Sequence, residues 1–158
     1  MAAPAWGVAS RLLAAAGVPA DRSYFRHFTG ANQRAALTVA MRIQAAWKAN
    51  DADRFADTFA ENGSLLMRDE QLRGREEIRA FMSKGFDGVF RGAHVKGWPI
   101  EVRFLSRTVA MVVTEGGIIM PGETGIADRS FIRATWIVVR CPDGQLQLMS
   151  HHSSPVRG

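Results

Sequence analysis

The chain has 158 residues, enough to bury the core of one domain, and its single cysteine, Cys141, cannot form an internal disulfide. Its net charge is +5, but the basic residues are scattered, which argues against the clustered Lys/Arg surface of a nucleic-acid-binding protein. No apolar run is long enough to span a bilayer, so we expect a cytoplasmic protein that binds neither nucleic acid nor membranes.

Residues 1–30 are predicted to be an N-terminal extension that is flexible or loosely helical. Their first part is rich in alanine, but Arg11 interrupts the apolar stretch and no basic segment precedes it, so the pattern of a signal peptide is missing. The folded domain is predicted to span residues 31–158.

Apolar residues at helical spacing mark the start of that domain. Val39, Ile43 and Trp47 recur every four residues, which predicts an amphipathic helix over residues 32–49. An aspartate that follows can cap a second, short helix, in which Phe55 would lie on the same face as Phe59.

The second helix is predicted to end at Asn62-Gly63, and residues 64–68 to form a short strand. A third helix is predicted from Gly74 to Phe86, because Glu76 and Glu77 suit the first turn of a helix, where the dipole favours acids.

From His94 onward the apolar period changes from that of a helix to two. Strands are predicted between turns at residues 106–107, 121–125 and 142–144, which are rich in Pro, Gly, Ser and Asp. A helical block followed by a block of strands indicates the α+β class.

The run from Leu37 to Phe86 combines a Trp-bearing helix, an Asp-Ala-Asp break at residues 51–53 and the motif Leu-Arg-Gly-Arg-Glu-Glu-Ile at residues 72–78. In this order, and followed only by long strands, it resembles the nuclear transport factor 2-like superfamily over roughly residues 32–156. The closest resemblance is to the SgcJ/EcaC branch, found in natural-product gene clusters. It implies a cone-shaped, curved, mixed or antiparallel sheet wrapped around three N-terminal helices, with an internal pocket.

The catalytic patterns of the better-known members of that superfamily do not transfer. SnoaL-like cyclases usually carry a Glu-x-Trp run with a later Asp in the C-terminal strand, where this chain has no carboxylate over residues 147–152. Ketosteroid isomerases use a buried Tyr with paired Asp residues, and the only tyrosine here, Tyr24, lies in the extension. Asp69 and Glu70 are the nearest carboxylates that could replace the missing acid, but turn acids are commonly only solvated.

The turns set a strand register, and that register predicts a constellation. Trp98, Glu115, Arg133 and His152 would form one cross-strand row on the concave face of the sheet. A histidine beside a carboxylate–arginine pair can shuttle protons near neutral pH, so His152 is the predicted acid/base. The SgcJ/EcaC pattern also places a histidine or glutamine there.

Within this row, Glu115 would orient His152 and Arg133 would stabilise an enolate oxygen. The predicted pocket lining consists of Trp98, Met111, Met67, Trp47, Phe59 and Ser150. A purely structural interpretation also stands: Glu115 and Arg133 are a common cross-strand ion pair, and the two tryptophans can be core or strand-end residues.

The opposite face of the predicted sheet is too apolar for water. Ile132, Ala134, Trp136 and Val138 would lie there, together with Ala110, which predicts a homodimer through the outer sheet face.

No metal or cofactor is expected. His151 and His152 are adjacent on a strand, so they point to opposite faces and cannot share an ion, and no phosphate-binding glycine motif follows a strand. The combined hypothesis is a homodimeric pocket protein of polyketide-type natural-product metabolism, acting on an apolar substrate as a cofactor-free isomerase, dehydratase or cyclase. The alternatives are a non-catalytic protein that holds a hydrophobic intermediate or a synthase partner, and a dimerisation module with a filled pocket.

Overall fold

A computed structural model describes residues 4–67 and 69–156. Within them the chain forms four α-helices: α1 (Ala9–Ala15), α2 (Ala31–Ala49), α3 (Ala52–Asp57) and α4 (Arg75–Asp87). The same part of the chain forms six strands: β1 (Phe59–Met67), β2 (Glu70–Arg73), β3 (His94–Phe104), β4 (Val109–Ile119), β5 (Phe131–Arg140) and β6 (Leu146–Pro155).

The six strands form one curved, mixed sheet in the order β2-β1-β6-β5-β4-β3. All neighbours are antiparallel except β1 and β6, which run parallel and join the N-terminal and C-terminal halves of the domain. The helices pack against one face, which we call the inner face; the opposite face is the outer face. This is the predicted α+β arrangement, and the fold class is confirmed.

Helix α2 is the central element on the inner face. Ten of its residues are buried, among them Val39, Ile43 and Trp47, as their spacing predicted. The helix ends at Asn50, whose left-handed backbone (φ 49°) closes the last turn. The Asn50 side chain donates a hydrogen bond to Ala93 O at 2.9 Å and accepts one from Gly92 N at 2.6 Å. The helix is thereby tied to the chain that leads into β3.

The second predicted helix is shorter than expected. Asp51 caps it by accepting a hydrogen bond from Arg54 N at 3.0 Å, but Phe59 already begins β1. The pairing of β1 with β6 is irregular between Phe59 and Ser64, which absorbs Asn62-Gly63 within the strand instead of at a helix end. Strand β2 was not predicted, and Arg68, the expected strand end, lies outside the described residues.

The N-terminal segment, residues 4–30, is packed on the domain. Besides α1 it contains a 3-10 turn at Arg22–Phe25, and its buried side chains are Trp6, Leu13, Val18, Tyr24, Phe25 and Phe28. Trp6 lies with its ring centroid 5.1 Å from that of Phe104 on β3. Over its described part, the segment is therefore part of the hydrophobic core, where the sequence predicted a flexible or loosely helical extension.

The central register agrees with the sequence prediction, whereas the C-terminal register does not. Glu115 pairs with both Trp98 and Arg133, as expected. The β5–β6 pairing, however, starts one residue later at the turn and shifts by another residue at a β-bulge around Met149. Arg133 consequently pairs with Ser154, and His152 pairs with Thr135.

The predicted assignment of the two sheet faces is wrong for β4 and β5. Ala134, Trp136 and Val138 are buried on the inner face, together with Ala110 and Val112. The half-buried side chains Val109, Met111, Val113, Ile137 and Val139 lie on the outer face. Ile132 shares the inner face with Ala134. The residues expected to form the homodimer surface therefore all lie on the inner face, and none of them lies on the outer face.

We expect replacement of Trp6 by alanine to lower the free energy of unfolding by about 3 kcal/mol, because it removes a buried indole that the core cannot refill. Urea denaturation measures the change. The exposed Arg11→Ala variant in the same segment is the control and should change stability by less than about 0.5 kcal/mol. Equal stabilities of the two variants would mean that the segment contributes nothing to the core.

Candidate functional site

A cavity of about 580 Å³ opens between the helices and one end of the sheet. It lies where β4 ends, β5 begins and β6 ends, so residues from opposite ends of the sequence share its wall. Its volume is in the range of small-molecule sites.

Aromatic side chains form the deep part of the cavity. Trp47 of α2 contacts Phe90 and Phe55 edge to face, at ring-centroid distances of 5.2 and 6.2 Å, and Phe55 lies 5.6 Å from Phe59. All four line the cavity and are almost completely buried. Edge-to-face packing holds such rings in fixed positions, so this part of the site is rigid and apolar.

The sheet wall of the cavity is built from small residues. Gly97 of β3 and Gly116 of β4 face each other across the strands, and both line the cavity. A Cβ on Gly97 would lie 2.8 Å from Glu115 O, closer than packing allows. Together with Ala134, these residues keep the inner face flat, which leaves room for a ligand.

His151 is the histidine that borders this cavity. It lies on the inner face of β6 opposite Trp136, and the two rings meet edge to face at a centroid distance of 4.3 Å. The Trp136 indole donates a hydrogen bond to Thr114 Oγ1 at 2.9 Å, which fixes the surface that His151 contacts. Nδ1 of His151 is buried and has no hydrogen-bond partner within the described residues.

Burial lowers the pKa of His151 to about 4, and the neighbouring charge of His152 contributes in the same direction. His151 is therefore a neutral imidazole at physiological pH. A buried, unpaired ring nitrogen costs on the order of 1–3 kcal/mol.

Apart from Glu115, the charged residues that line the cavity lie at its mouth, as far as the described residues define it. Asp69, Lys96 and Arg129 line it and are exposed, and Arg129 pairs with Glu123 at 3.5 Å. No carboxylate among the described residues accompanies His151 in the buried part. Asp69, one of the two predicted replacement acids, therefore borders the entrance instead of the aromatic interior.

The structure brings three of the six predicted lining residues to the cavity. Trp47, Phe59 and Met67 line it, whereas Trp98, Met111 and Ser150 do not. Trp98 and Met111 belong to the outer face, and Ser150 pairs with Ile137 on that same face because of the bulge in β6.

His152 does not lie beside Arg133 in the predicted catalytic row, because Arg133 pairs with Ser154. Glu115 borders the cavity at its strand position, but its carboxylate forms an ion pair with Arg133, whose side chain is 53% exposed. His152 is exposed on the outer face, so the row does not converge on the concave side as predicted. The one-residue alternation of β6 directs His151 inward in its place.

Sequence reasoning did not identify His151 or Tyr24 as site residues. Adjacent strand residues point to opposite faces, so the extra residue at the bulge around Met149 brings His151 to the inner face instead of His152. Tyr24 has no such pattern around it, and its place in the cavity wall depends on how residues 4–30 pack.

A model of the SnoaL-like domain matches residues 37–158. The chain belongs to the SnoaL-like domain family. The match begins inside α2 and includes every strand, so the sheet that lines the cavity lies within the family match. No protein of curated function matched the sequence.

Solved structures with the same fold include proteins with different descriptions. A cystatin-like-fold domain of unknown function from Nostoc punctiforme is 23% identical, with a TM-score of 0.73 over 82% of this chain and 81% of that one. A ketosteroid isomerase-like protein from Erwinia carotovora atroseptica is 17% identical, with a TM-score of 0.60 over 77% of this chain and 93% of that one. A putative calcium/calmodulin-dependent protein kinase type II association domain from Thiobacillus denitrificans is 19% identical, with a TM-score of 0.64 over 75% and 93%. These likenesses establish the nuclear transport factor 2-like, cystatin-like fold.

No helix of the described residues is both long and apolar enough to cross a membrane. Their His, Cys, Asp and Glu side chains form no group of three or more that could hold a metal ion.

His151 makes stability depend on pH. Its pKa is about 4 in the folded chain and 6.5 when unfolded, so the unfolded chain takes up a proton first as the pH falls. Between about pH 7.5 and about pH 5, the native state should lose about 2 kcal/mol through this group, and the His151→Gln variant should lack that loss. Urea denaturation at both pH values measures it. The exposed His94→Gln variant should keep the loss, and a pH response unchanged in His151→Gln would show that His151 titrates normally.

Proposed function

We propose that this protein binds an apolar small molecule of polyketide-type natural-product metabolism, in the cytoplasm, and catalyses its isomerisation, dehydration or cyclisation without a cofactor. The observation that carries the proposal is a neutral histidine, His151, at the wall of a cavity of about 580 Å³ with an aromatic interior. The earlier resemblance to the SgcJ/EcaC branch supports the metabolic context.

The proposed chemistry is a proton transfer at carbon. His151 in its free-base form takes a proton from a carbon next to a carbonyl group, and the resulting electron pair moves onto the carbonyl oxygen. Return of the proton at another carbon isomerises the ligand, whereas loss of a hydroxyl group dehydrates it. The apolar wall excludes water, which would otherwise compete for the proton.

The cavity supports this chemistry through contrast between its two parts. The aromatic interior around Trp47 and Phe59 suits a ring system. Apart from Glu115, which pairs with Arg133, the charged lining groups among the described residues lie at the exposed mouth. A ligand would therefore bury its hydrocarbon body and direct a polar end towards solvent.

A second function is favoured by one specific observation. The same burial that keeps His151 neutral lowers its pKa to about 4, which makes it a weak base, and no buried carboxylate of the described residues raises it. A non-catalytic protein that holds a hydrophobic intermediate, for itself or for a synthase partner, needs no stronger base. Binding and proton transfer must therefore be measured separately.

We also propose a homodimer through the outer face, now with different residues from those the sequence indicated. Met111, Val113, Ile137 and Val139 form an apolar strip across β4 and β5 and are half-buried in the single chain. A second copy would cover the same strip on both partners, as two-fold symmetry requires.

Hydrogen–deuterium exchange of 2-tetralone tests the proton transfer, because its C1 hydrogens lie between an aromatic ring and a carbonyl. Wild type should accelerate exchange in D₂O, measured by proton NMR, and His151→Gln should lose about 10² or more of the rate. His94→Gln is the control, and His152→Gln tests the histidine that the sequence favoured; both should retain exchange. Binding of 2-tetralone without accelerated exchange would favour the binding protein, and loss in His152→Gln alone would refute the role of His151.

Sedimentation velocity at micromolar concentration tests the homodimer. Wild type should sediment as a dimer and Ile137→Arg as a folded monomer, because a buried, unpaired guanidinium is costly. The exposed turn variant Gln145→Arg is the control and should remain dimeric. A monomeric wild type would remove the proposal.

A further inference from the structure

The N-terminal segment supplies a wall of the cavity that the family match does not include. The SnoaL-like match begins at residue 37, yet Tyr24 lines the cavity and is 7% exposed. This side chain comes from the 3-10 turn at Arg22–Phe25, which also contacts β3. The segment is thus positioned to influence which ligand the cavity accepts.

Several contacts hold the turn in place. Asp21 caps it by accepting a hydrogen bond from Ser23 N at 3.1 Å. The Arg34 guanidinium donates to Phe28 O at 2.8 Å and lies 5.1 Å from the centre of the Phe25 ring. On the other side, Arg26 lies 5.0 Å from the centre of the Trp98 ring. These cation–π contacts and hydrogen bonds connect the turn to α2 and β3, so Tyr24 has a defined position.

The Tyr24 hydroxyl is available to a ligand. It forms no hydrogen bond with the described residues, and the Tyr24 side chain lines the cavity. Burial raises the pKa of Tyr24 above its usual value, so the hydroxyl keeps its proton at physiological pH. A neutral phenol in an apolar cavity is a hydrogen-bond donor.

We propose that Tyr24 donates a hydrogen bond to a carbonyl or hydroxyl oxygen of the ligand, and that residues 4–30 thereby determine ligand selectivity. The inference rests on the proposed ligand-binding function, but it does not require catalysis. It predicts that the cavity distinguishes an oxygenated ring system from a hydrocarbon of the same shape.

The single tyrosine of the chain makes a direct test feasible. Incorporation of 3-fluorotyrosine into the full-length protein gives one ¹⁹F resonance, which should shift when 2-tetralone is added. Equilibrium dialysis then compares the affinities for 2-tetralone and for tetralin, which has the same rings without the carbonyl group.

The ratio of the two affinities is the decisive measurement. Wild type should prefer 2-tetralone, and Tyr24→Phe should reduce that preference by about 2- to 12-fold, the range for one neutral hydrogen bond. Tyr24→Phe keeps the buried ring, and thermal denaturation checks that it remains folded. Phe28→Leu is the matched control: it alters a buried residue of the same segment without removing the hydroxyl, and should leave the ratio unchanged.

The outcomes separate this inference from the proposed function. An unchanged ratio in Tyr24→Phe, or equal affinities in wild type, overturns the role of Tyr24 and leaves the ligand cavity intact. Failure of both compounds to bind overturns both proposals. A lower ratio in Tyr24→Phe together with absent exchange supports Tyr24 in a protein that binds without catalysing.

Discussion

The alternation of side chains across the six-stranded sheet decides which residues reach the cavity, and β-bulges set that alternation. The irregularity around Ile100 in β3 lets Val102 and Gly97 both serve the inner face, although the strand shifts register between them. The bulge around Met149 in β6 does the same for Leu148 and His151. Each bulge adds one residue and so reverses the parity beyond it. Without the bulge around Met149, His152 would face the cavity instead of His151.

The cavity exists because its two walls carry side chains of different size. The helices contribute bulky rings, led by Trp47, and the sheet contributes small residues such as Gly97 and Ala134. Large side chains on both sides would fill the space and leave a solid core. Because the rings pack on one another edge to face, the space persists without a ligand to support it. The fold can therefore keep an apolar binding site while most of the inner face remains close-packed.

Much of the fold was predictable because it depends on local patterns. The spacing of Val39, Ile43 and Trp47 identified α2, and the turn at residues 121–125 gave the correct Glu115–Arg133 pairing. The faces were not predictable in the same way, since both carry apolar residues and the bulkier aliphatic set lies on the outer one. Bulges have no reliable sequence signal, so the register error grew towards the end of β6. The position of Tyr24 depends on contacts made by residues far apart in the chain, which no local pattern reports.

The environment of His151 restricts the chemistry that the proposed enzyme can perform. Burial against Trp136 keeps the imidazole ring neutral at physiological pH, but the same burial reduces its basicity. The rate of proton abstraction depends on how well the base matches the carbon acid, so a weak base is effective only on an acidic C–H. Carbons between two carbonyl groups, or between a carbonyl and an aromatic ring, have that property, and polyketide-type chains contain them repeatedly. A hydrogen bond from Tyr24 to the carbonyl oxygen would increase the acidity further, because negative charge develops on that oxygen as the proton leaves. An ordinary ketone would remain bound and unreacted, so in this site the substrate, more than the base, determines whether binding leads to catalysis.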